Sequence, residues 1–350
     1  MVIKMKYEIF KEYSKQSEPN KYEKKCIWET AIGLQKVDNL DSSEYLIEVA
    51  KKHIDGNISL DYANDLINSY YVEKNESMDR TEEADKVSLR IVELLSNKAF
   101  NFSIIQYISI HKYLFNGIFD YAGTIRDYNI TKNEWVLNGD TVIYGNAFDL
   151  YETLEYDLNQ EKKYNYQNKS IEEIIKHIAE FTAGLWQIHL FGEGNTRTTA
   201  VFLIKYLNKL GFDVTNDIFA NNSWYFRNAL VRANYNNYKL NINETTYYLE
   251  LFLRNLLLNE NNKLSNRELH IDYKENLDNK LSECELKVLK LLNDNPKITL
   301  DEVSIKMNKS LRTVKSIVKQ LTEKELVKRI DGKKYGSWQV IFPQLSGAKN

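Results

Sequence analysis

The sequence predicts a mostly helical protein with one β-hairpin in its large unit and a separate small unit at its C-terminal end. The 350 residues include only 3 prolines and 13 glycines, so few positions interrupt helices. Apolar residues recur at helical spacing through most of residues 1–257. Residues 282–342 carry 13 basic against 8 acidic side chains, which gives this segment +5 in a chain of net charge −2. The remainder is therefore acidic at −7, and the contrast indicates two units with different roles.

Composition excludes several classes of protein. Apolar residues make up 43% of the chain, enough for sizeable cores, but no run reaches the roughly 18 residues that a membrane span requires. The N-terminus lacks the apolar core of a secretory signal. Cys26 and Cys284 lie far apart in apolar contexts, which favours buried thiols in a reducing compartment. We therefore expect a cytoplasmic protein with no membrane association.

The elements follow from the pattern in chain order. Residues 1–60 predict short helices, one of them capped by Ser42 or Ser43, and residues 61–75 predict the next helix. Further amphipathic helices precede residues 123–146, GTIRDYNITKNEWVLNGDTVIYGN, which alternate in polarity around an NGD turn and predict a β-hairpin.

Two long apolar helices follow, joined by a polar loop. The first ends at Ile188, and the second starts near Thr196 to Thr198 and ends at Gly211. More apolar helices reach residue 257, and the polar stretch 258–281 predicts a linker. Residues 282–342 then predict three helices and two strands around an Asp-Gly turn.

The loop in QIHLFGEGNTRTTAVF, residues 187–202, concentrates groups that bind anions. Gly192 and Gly194 allow a tight turn that points main-chain N–H groups in one direction. The N-terminus of the following helix attracts anions through its free N–H groups and its dipole. Arg197 adds a positive fork in the first turn, and Asn195 either donates to oxygen or caps the helix. The loop thus predicts a cradle for phosphates.

Two further residues fit chemistry on a bound phosphate. Glu193 is compatible with phosphate when Mg²⁺ lies between them, since Mg²⁺ binds through one or two carboxylates plus substrate phosphates. His189 titrates near neutrality and suits a general base. A histidine alone at this position is typical of a structural helix cap, and the glycines alone are typical of an ordinary turn. Their combination with the acid, the amide and the arginine within nine positions favours a functional site.

This stretch resembles the signature of the Fic (Fido) family, H-x-F-x-[DE]-G-N-x-R-x-x-R, over a region of roughly residues 60–257. The matching positions are His189, Phe191, Glu193, Gly194, Asn195 and Arg197. The resemblance implies a Fic-type helical core with a β-hairpin flap. It also implies transfer of AMP from ATP, with Mg²⁺, to a Ser, Thr or Tyr hydroxyl of a protein target, itself included. Homodimers are a further expectation from the family.

The resemblance implies a role for each matching residue. His189 deprotonates the acceptor hydroxyl, and Glu193 holds Mg²⁺ on the α- and β-phosphates. Phosphate contacts are implied for Gly194, Asn195, Thr196 and Arg197, and pyrophosphate leaves.

Two positions depart from the family pattern. Thr196 stands where members usually carry Gly, and Ala200 stands where they carry a second Arg that holds the γ-phosphate. The loss of that Arg leaves the orientation and choice of nucleotide open. Thr196 also differs from the Lys of the related Doc-type kinases, which favours nucleotidyl transfer over phosphorylation.

A regulatory helix is a further expectation. Ser69 and Glu73, four residues apart on the helix of residues 61–75, resemble the family's inhibitory motif [ST]-x-x-x-E-[GN], although Lys74 departs from its last position. Either Glu73 reaches Arg197 or another Arg, or the inhibition is weak, or Glu73 is an ordinary exposed side chain. The preceding IDGNISLDYANDLI loosely resembles the small antitoxins that pair with Fic toxins.

The remaining site predictions concern the flap and the base of the nucleotide. The hairpin either registers a target by main-chain pairing or simply covers the core, and Arg126 contacts either phosphate or a surface acid. Tyr225, Asn228 and Arg232 share one helical face that either holds adenine or packs.

The C-terminal segment resembles a winged helix-turn-helix, whose third helix enters the DNA major groove. That helix presents Arg312, Lys315 and Lys319, preceded by Lys309. The alternative is a module for dimerisation or target docking. Two other functions stay open: a DNA-binding transcriptional regulator whose core senses nucleotide or is inactive, and a de-AMPylase in which Glu73 positions water.

Overall fold

The computed structural model describes residues 18–74, 80–214, 217–273, 282–323, 326–330 and 336–340. Contacts divide the chain after residue 273 into two compact units, which are treated separately. The predicted mostly helical fold class is confirmed. None of the helices within the described residues has the length and apolar character needed to cross a bilayer.

The described part of the first unit is built mainly from helices, and one long connection without an α-helix covers residues 116–149. In chain order the helices are α1 Lys21–Gly33, α2 Glu44–Ile54, α3 Leu60–Lys74, α4 Arg80–Ser96, α5 Ile104–Phe115, α6 Leu150–Lys163, α7 Ile171–Ile188, α8 Asn195–Leu210, α9 Ile218–Ala233, α10 Tyr247–Leu258 and α11 Asn266–Leu269. Short 3₁₀ helices cover Leu34–Asp38, Trp135–Leu137 and Tyr238–Leu240. The predicted linker 258–281 is partly folded, since α11 packs Leu269 into the core of this unit.

Local sequence sets the helix ends. Ser170 caps α7 through a capping box with Glu173, in which each side chain bonds the main-chain N–H of the other residue. Gly211 ends α8 in the left-handed conformation at φ 95°, where a side chain would be strained. These signals lie within four residues of the ends they define, which is why the sequence located both helices.

α8 is the central helix of the first unit, and every residue from Asn195 to Leu207 is buried. A helix buried all round must lie within a shell of other elements, and α5, α7, α4 and the 3₁₀ helix Leu34–Asp38 pack around it. The loop that precedes α8 therefore lies deep in the unit with only its outer side open. This burial positions the loop rigidly.

The β-hairpin predicted at residues 123–146 does not form. The chain reverses there at the 3₁₀ helix Trp135–Leu137, but neither arm forms a strand. The guanidinium of Arg126 donates to the carbonyl of Gly145 at 2.5 Å and to that of Tyr128 at 2.5 Å. The N–H of Gly145 donates to the carbonyl of Gln187 at 3.2 Å. Because these groups bond to Arg126 and to α7, they are not available for a ladder. We call residues 123–146 the flap.

Within its described residues, the second unit contains three helices and a two-stranded sheet, in the predicted order. They are α12 Glu283–Asp294, α13 Leu300–Met307, α14 Leu311–Glu323, β1 Val327–Ile330 and β2 Ser337–Val340. The strands are antiparallel, with Val327 opposite Val340 and Ile330 opposite Ser337. Trp338 ties β2 to the segment before α13, donating from its indole to the carbonyl of Ile298 at 3.0 Å. The predicted Asp331-Gly332 turn lies outside the described residues.

Candidate functional site

The loop between α7 and α8 folds as it does because of its glycines and one histidine. His189 ends α7 at φ 50° and Gly194 precedes α8 at φ 78°, both in the left-handed region. A Cβ on Gly194 would lie 2.4 Å from the ring of Phe115, and one on Gly192 would lie 2.7 Å from the Tyr128 hydroxyl. Only glycine fits at position 194, where a positive φ and the buried Phe115 ring both exclude a side chain; at position 192 the near atom is the end of the exposed Tyr128 side chain, which can move.

His189 is held in one tautomer. Its Nδ1 lies 3.3 Å from the carbonyl of Trp186, and because a carbonyl only accepts, Nδ1 carries the proton. The side chain is 4% exposed. Burial, followed by the positive charge of Lys132, lowers the pKa of the imidazole well below its ordinary value. The ring is therefore neutral near pH 7, with a lone pair on Nε2 that bonds to no group among the described residues.

The side chains of Asn195 and Thr196 form hydrogen bonds within the α7–α8 region and do not point towards solvent. Asn195 accepts from the N–H of Phe191 at 2.9 Å and donates to the carbonyl of Phe191 at 2.7 Å. The hydroxyl of Thr196 accepts from the indole of Trp186 at 3.0 Å. Both are buried, so of the predicted phosphate contacts at Gly194, Asn195 and Thr196 only main-chain N–H groups remain. No side chain caps the N-terminus of α8, which leaves its first-turn N–H groups suited to an anion.

His111 on α5 supports the same loop and was not found from the sequence. Its Nδ1 accepts from the N–H of Gly123 at 2.9 Å, so Nε2 carries the proton and donates to the carbonyl of Glu193 at 3.0 Å. Its ring stacks on Phe191 with centroids 3.6 Å apart. Burial lowers the pKa of His111 to about 4. The available signal was a histidine set in an otherwise apolar helical stripe.

Arg197 is held by side chains of the protein in this structure, and its contact with phosphate stays a prediction. The side chain is 1% exposed. Its Nη2 lies 2.7 Å from a carboxylate oxygen of Glu83 and 2.8 Å from one of Asp38. Its Nη1 donates to the side-chain oxygen of Gln35 at 3.0 Å. Two carboxylates already neutralise this guanidinium, so it connects α8 to α4 and to the 3₁₀ helix Leu34–Asp38.

Glu193 is the accessible acid of the loop. Its side chain is 52% exposed, and one carboxylate oxygen lies 3.0 Å from the Lys132 ammonium of the flap. The other oxygen makes no hydrogen bond within the described residues. No group of three or more His, Cys, Asp and Glu side chains with the geometry of a metal site occurs in the described part of the chain. One free carboxylate oxygen beside an anion cradle fits Mg²⁺ that is shared with a phosphate.

Two protein-family profiles match parts of the chain. The profile of the Fic/DOC family matches residues 101–207, which span α5, the flap, α7 and the loop. The chain contains a Fic/DOC domain. A second profile, winged helix-turn-helix DNA-binding, matches residues 281–328.

The solved structures that are similar to the chain include three Fic proteins. The N-terminal FIC domain of Bep8 from Bartonella sp. 1-1C is 20% identical, covers 53% of this chain and 88% of its own, and has a TM-score of 0.41. A Fic family protein from Desulfovibrio desulfuricans G20 is 11% identical over 93% of this chain and 89% of its own, at 0.41. The N-terminal Fic domain of a Bartonella effector protein from Bartonella sp. AR 15-3 is 17% identical over 51% of this chain and 84% of its own, at 0.38.

Within the Fic/DOC domain, Arg126 is a scaffold residue, contrary to both sequence alternatives. Its side chain is buried and donates to main-chain carbonyls of the flap and of the loop, including that of His189 at 2.7 Å. Every acceptor is a carbonyl, so the guanidinium contacts neither phosphate nor a surface acid. It fixes the base of the flap to the residue that carries the imidazole.

A buried acid in the flap adds a second connection, which the sequence did not reveal. Glu134 accepts from Arg227 of α9 at 2.6 Å and 3.1 Å, and from the hydroxyl of Tyr144 at 2.9 Å. The ring of Tyr144 packs on that of His189 with centroids 4.3 Å apart. The clamp formed by Glu134, Arg227 and Tyr144 therefore holds the flap against the imidazole.

The residues predicted to regulate the site and to bind the nucleotide base lie on α3 and in α9. Ser69 and Glu73 are exposed on α3, and the carboxylates on Arg197 come from Glu83 and Asp38 instead. Tyr225 and Asn228 are fully buried in α9. The hydroxyl of Tyr225 donates to the carbonyl of Tyr248 at 3.2 Å, and the amide of Asn228 donates to Asn266 at 2.8 Å. In this conformation both serve the packing of α9 against its neighbours, so the structure gives no support to an adenine contact.

The winged helix-turn-helix presents a basic face as predicted. Arg312, Lys315 and Lys319 are exposed on α14. Val314, Val318 and Leu321 lie on the opposite face, buried in the core of the second unit. This division places the basic side chains on the exposed side of α14.

Proposed function

We propose that the Fic/DOC domain is a protein adenylyltransferase that moves AMP from ATP to a Ser, Thr or Tyr hydroxyl of a protein target. The observation that carries this proposal is the tautomer of His189. With Nδ1 donating to the carbonyl of Trp186, the lone pair of Nε2 is left as a base in the loop that leads to the uncapped N-terminus of α8. Nucleotide phosphates at that helix end would lie close to the base.

In the proposed reaction the acceptor hydroxyl loses its proton to Nε2 of His189 as its oxygen bonds to the α-phosphorus. The bond from the α-phosphorus to the bridging oxygen of the β-phosphate breaks, and pyrophosphate leaves with that electron pair. The low pKa of the imidazole in the free domain rises when an anionic nucleotide binds nearby, because the negative charge favours the protonated form. Binding of substrate thus strengthens the base that the reaction needs.

The main-chain N–H groups of Gly194, Asn195 and Thr196 are the proposed donors to the phosphates. Glu193 is the proposed residue for Mg²⁺, which supplies positive charge to the phosphates when bound. We propose no autoinhibitory role for Glu73, because its side chain is exposed on α3.

The test uses ATP labelled on the α-phosphate, with Mg²⁺ and the full-length chain. His189→Asn is the sharpest variant, since asparagine tolerates φ 50° and keeps a donor for the carbonyl of Trp186 but lacks Nε2. We expect transfer of label to protein to fall by at least about 100-fold, in line with the removal of a general base. His177→Asn, which removes another histidine of α7, is the matched control and should retain activity. Equal labelling by wild type and His189→Asn would rule out the assigned base.

We propose DNA binding as a second function, carried by the exposed basic face of α14. Contacts from Arg312, Lys315 and Lys319 to phosphates would be strongly dependent on salt and largely independent of sequence. In fluorescence anisotropy with a duplex, Lys315→Ala should reduce the slope of log K against log salt by about 0.9. An unchanged slope would favour the alternative that this face docks protein.

A further inference from the structure

The arginine side chains around the α7–α8 loop already bond to other groups of the protein. Arg126 is occupied by main-chain carbonyls, Arg197 by two carboxylates and Gln35, and Arg227 by Glu134. The position of the family's second arginine holds Ala200, whose side chain is buried and uncharged. A polyphosphate at the loop therefore needs positive charge from another residue.

Lys132 of the flap is placed to supply it. Its ammonium lies 3.0 Å from Glu193, so it reaches across from the flap to the outer side of the loop. The N–H of Lys132 donates to the hydroxyl of Thr141 at 3.3 Å, which ties this arm of the flap to the opposite arm. The Lys132 side chain is 25% exposed, so it is held close to the protein and still accessible.

The pairing of Lys132 with Glu193 is one that a ligand can replace. An ion pair with a half-exposed partner contributes little to stability, because both charges remain partly hydrated. A nucleotide triphosphate offers several negative oxygens in place of one carboxylate. The charge of Lys132 is also the largest electrostatic influence after burial on the imidazole of His189, which agrees with an ammonium close to the reacting centre.

We propose that Lys132 is a phosphate-binding residue of the nucleotide site, which exchanges Glu193 for the β- and γ-phosphates when nucleotide binds. It supplies from the flap the charge that Ala200 does not supply from α8. The terminal phosphates are chosen because the proposed function, on which this inference rests, places the α-phosphate at His189. Lys132 contacts Glu193, which follows His189 along the loop and is half-exposed.

The test measures binding without turnover, by isothermal titration of the full chain with α,β-methylene-ATP or AMP in the presence of Mg²⁺. We expect Lys132→Met to weaken binding of the ATP analogue by about 10- to 100-fold, the usual size of a lost charge-assisted hydrogen bond. AMP affinity should change by less than about 2-fold, and Lys132→Arg should restore most of the affinity for the analogue. Lys176→Met is the matched control, because it removes a lysine from another exposed Lys–Glu pair on α7.

The outcomes separate this inference from the proposed function. If wild type binds the analogue and Lys132→Met binds it equally well, the role of Lys132 is wrong and the proposed function stands. If wild type binds no nucleotide, the proposed function fails and the role of Lys132 fails with it. If Lys132→Met weakens AMP as much as the analogue, Lys132 does not contact the terminal phosphates. A matching melting temperature for each variant excludes loss of fold as the cause.

Discussion

Gly194→Ala tests whether the shape of the loop is set by the contacts of this glycine. Two costs are expected. An alanine at φ 78° pays about 1–2 kcal/mol for the left-handed conformation. Its Cβ would also lie 2.4 Å from Cε2 and 2.5 Å from Cζ of Phe115, a buried ring that cannot move without repacking. Forcing a methyl group into such a contact costs about 1–3 kcal/mol.

Gly139→Ala separates the two costs. Gly139 adopts φ 88° in the flap turn, and a Cβ there would meet no heavy atom of the described residues within 4 Å. It therefore pays the backbone cost alone, about 1–2 kcal/mol. The free energy of unfolding of the first unit should fall by about 2–5 kcal/mol in Gly194→Ala, so the difference between the variants is about 1–3 kcal/mol.

Urea denaturation followed by tryptophan fluorescence measures both variants, since Trp186 lies in α7 next to the loop. Nucleotide transfer should fall with Gly194→Ala and persist with Gly139→Ala, because the displaced loop no longer places its N–H groups. Equal destabilisation of the two variants would refute the claim that the Phe115 contact holds the loop.

The other predictions concern charge and titration. His111 has a folded pKa of about 4 against an ordinary 6.5, so the unfolded chain takes up this proton first as the pH falls below about 6.5. The free energy of unfolding that neutral His111 contributes is therefore fully present above that pH, and it falls by about 1.4 kcal/mol per pH unit towards pH 4. His111→Gln should flatten this dependence of stability on pH, and an unchanged dependence would contradict the low pKa of His111. Glu134→Gln should cost about 3–5 kcal/mol in urea denaturation, because it leaves its arginine partner without its buried counter-charge, whereas Tyr144→Phe should cost about 1 kcal/mol; similar losses would contradict the clamp. Glu83→Gln should cost about 1–3 kcal/mol, whereas Glu73→Gln should change stability by less than about 0.5 kcal/mol and leave transfer unchanged; increased transfer would restore the inhibitory role of Glu73.

The parts of the site that the sequence predicted are local in the chain. The glycines, the end of α7 and the start of α8 lie within a few residues of one another, and their steric requirements appear directly in the residue types. The identity of His189 as the candidate base followed from the same short stretch. Such features need no knowledge of tertiary contacts.

The contacts that the sequence did not reveal join residues that are distant in the chain. The sequence shows that Arg197 is a cation next to a phosphate cradle, but its partners Asp38 and Glu83 precede it by more than 100 positions. The flap has the alternation of a hairpin, and Arg126 removes the main-chain acceptors that a ladder requires. A single buried donor can thus override a period-2 pattern.

Buried polar residues were missed for a related reason. His111 is a lone histidine in an apolar helical stripe and Glu134 is one acid in a polar stretch, and only the packing of α5 and the flap places them beside the loop. Conversely, Tyr225 and Asn228 have the chemistry of a base pocket but lie where α9 packs. Burial, which the sequence gives only as a tendency, decides between these readings.

The central claim is that His189 removes the proton from a protein hydroxyl as AMP is transferred to it. Mass spectrometry of the full chain after incubation with ATP and Mg²⁺, alone and with cell extract, reads donor and acceptor together. We expect Ser, Thr or Tyr residues that carry the mass of one AMP with the wild-type protein and no such residues with His189→Asn. An adduct of one phosphate in place of AMP, or AMP adducts of equal yield from both proteins, would contradict it.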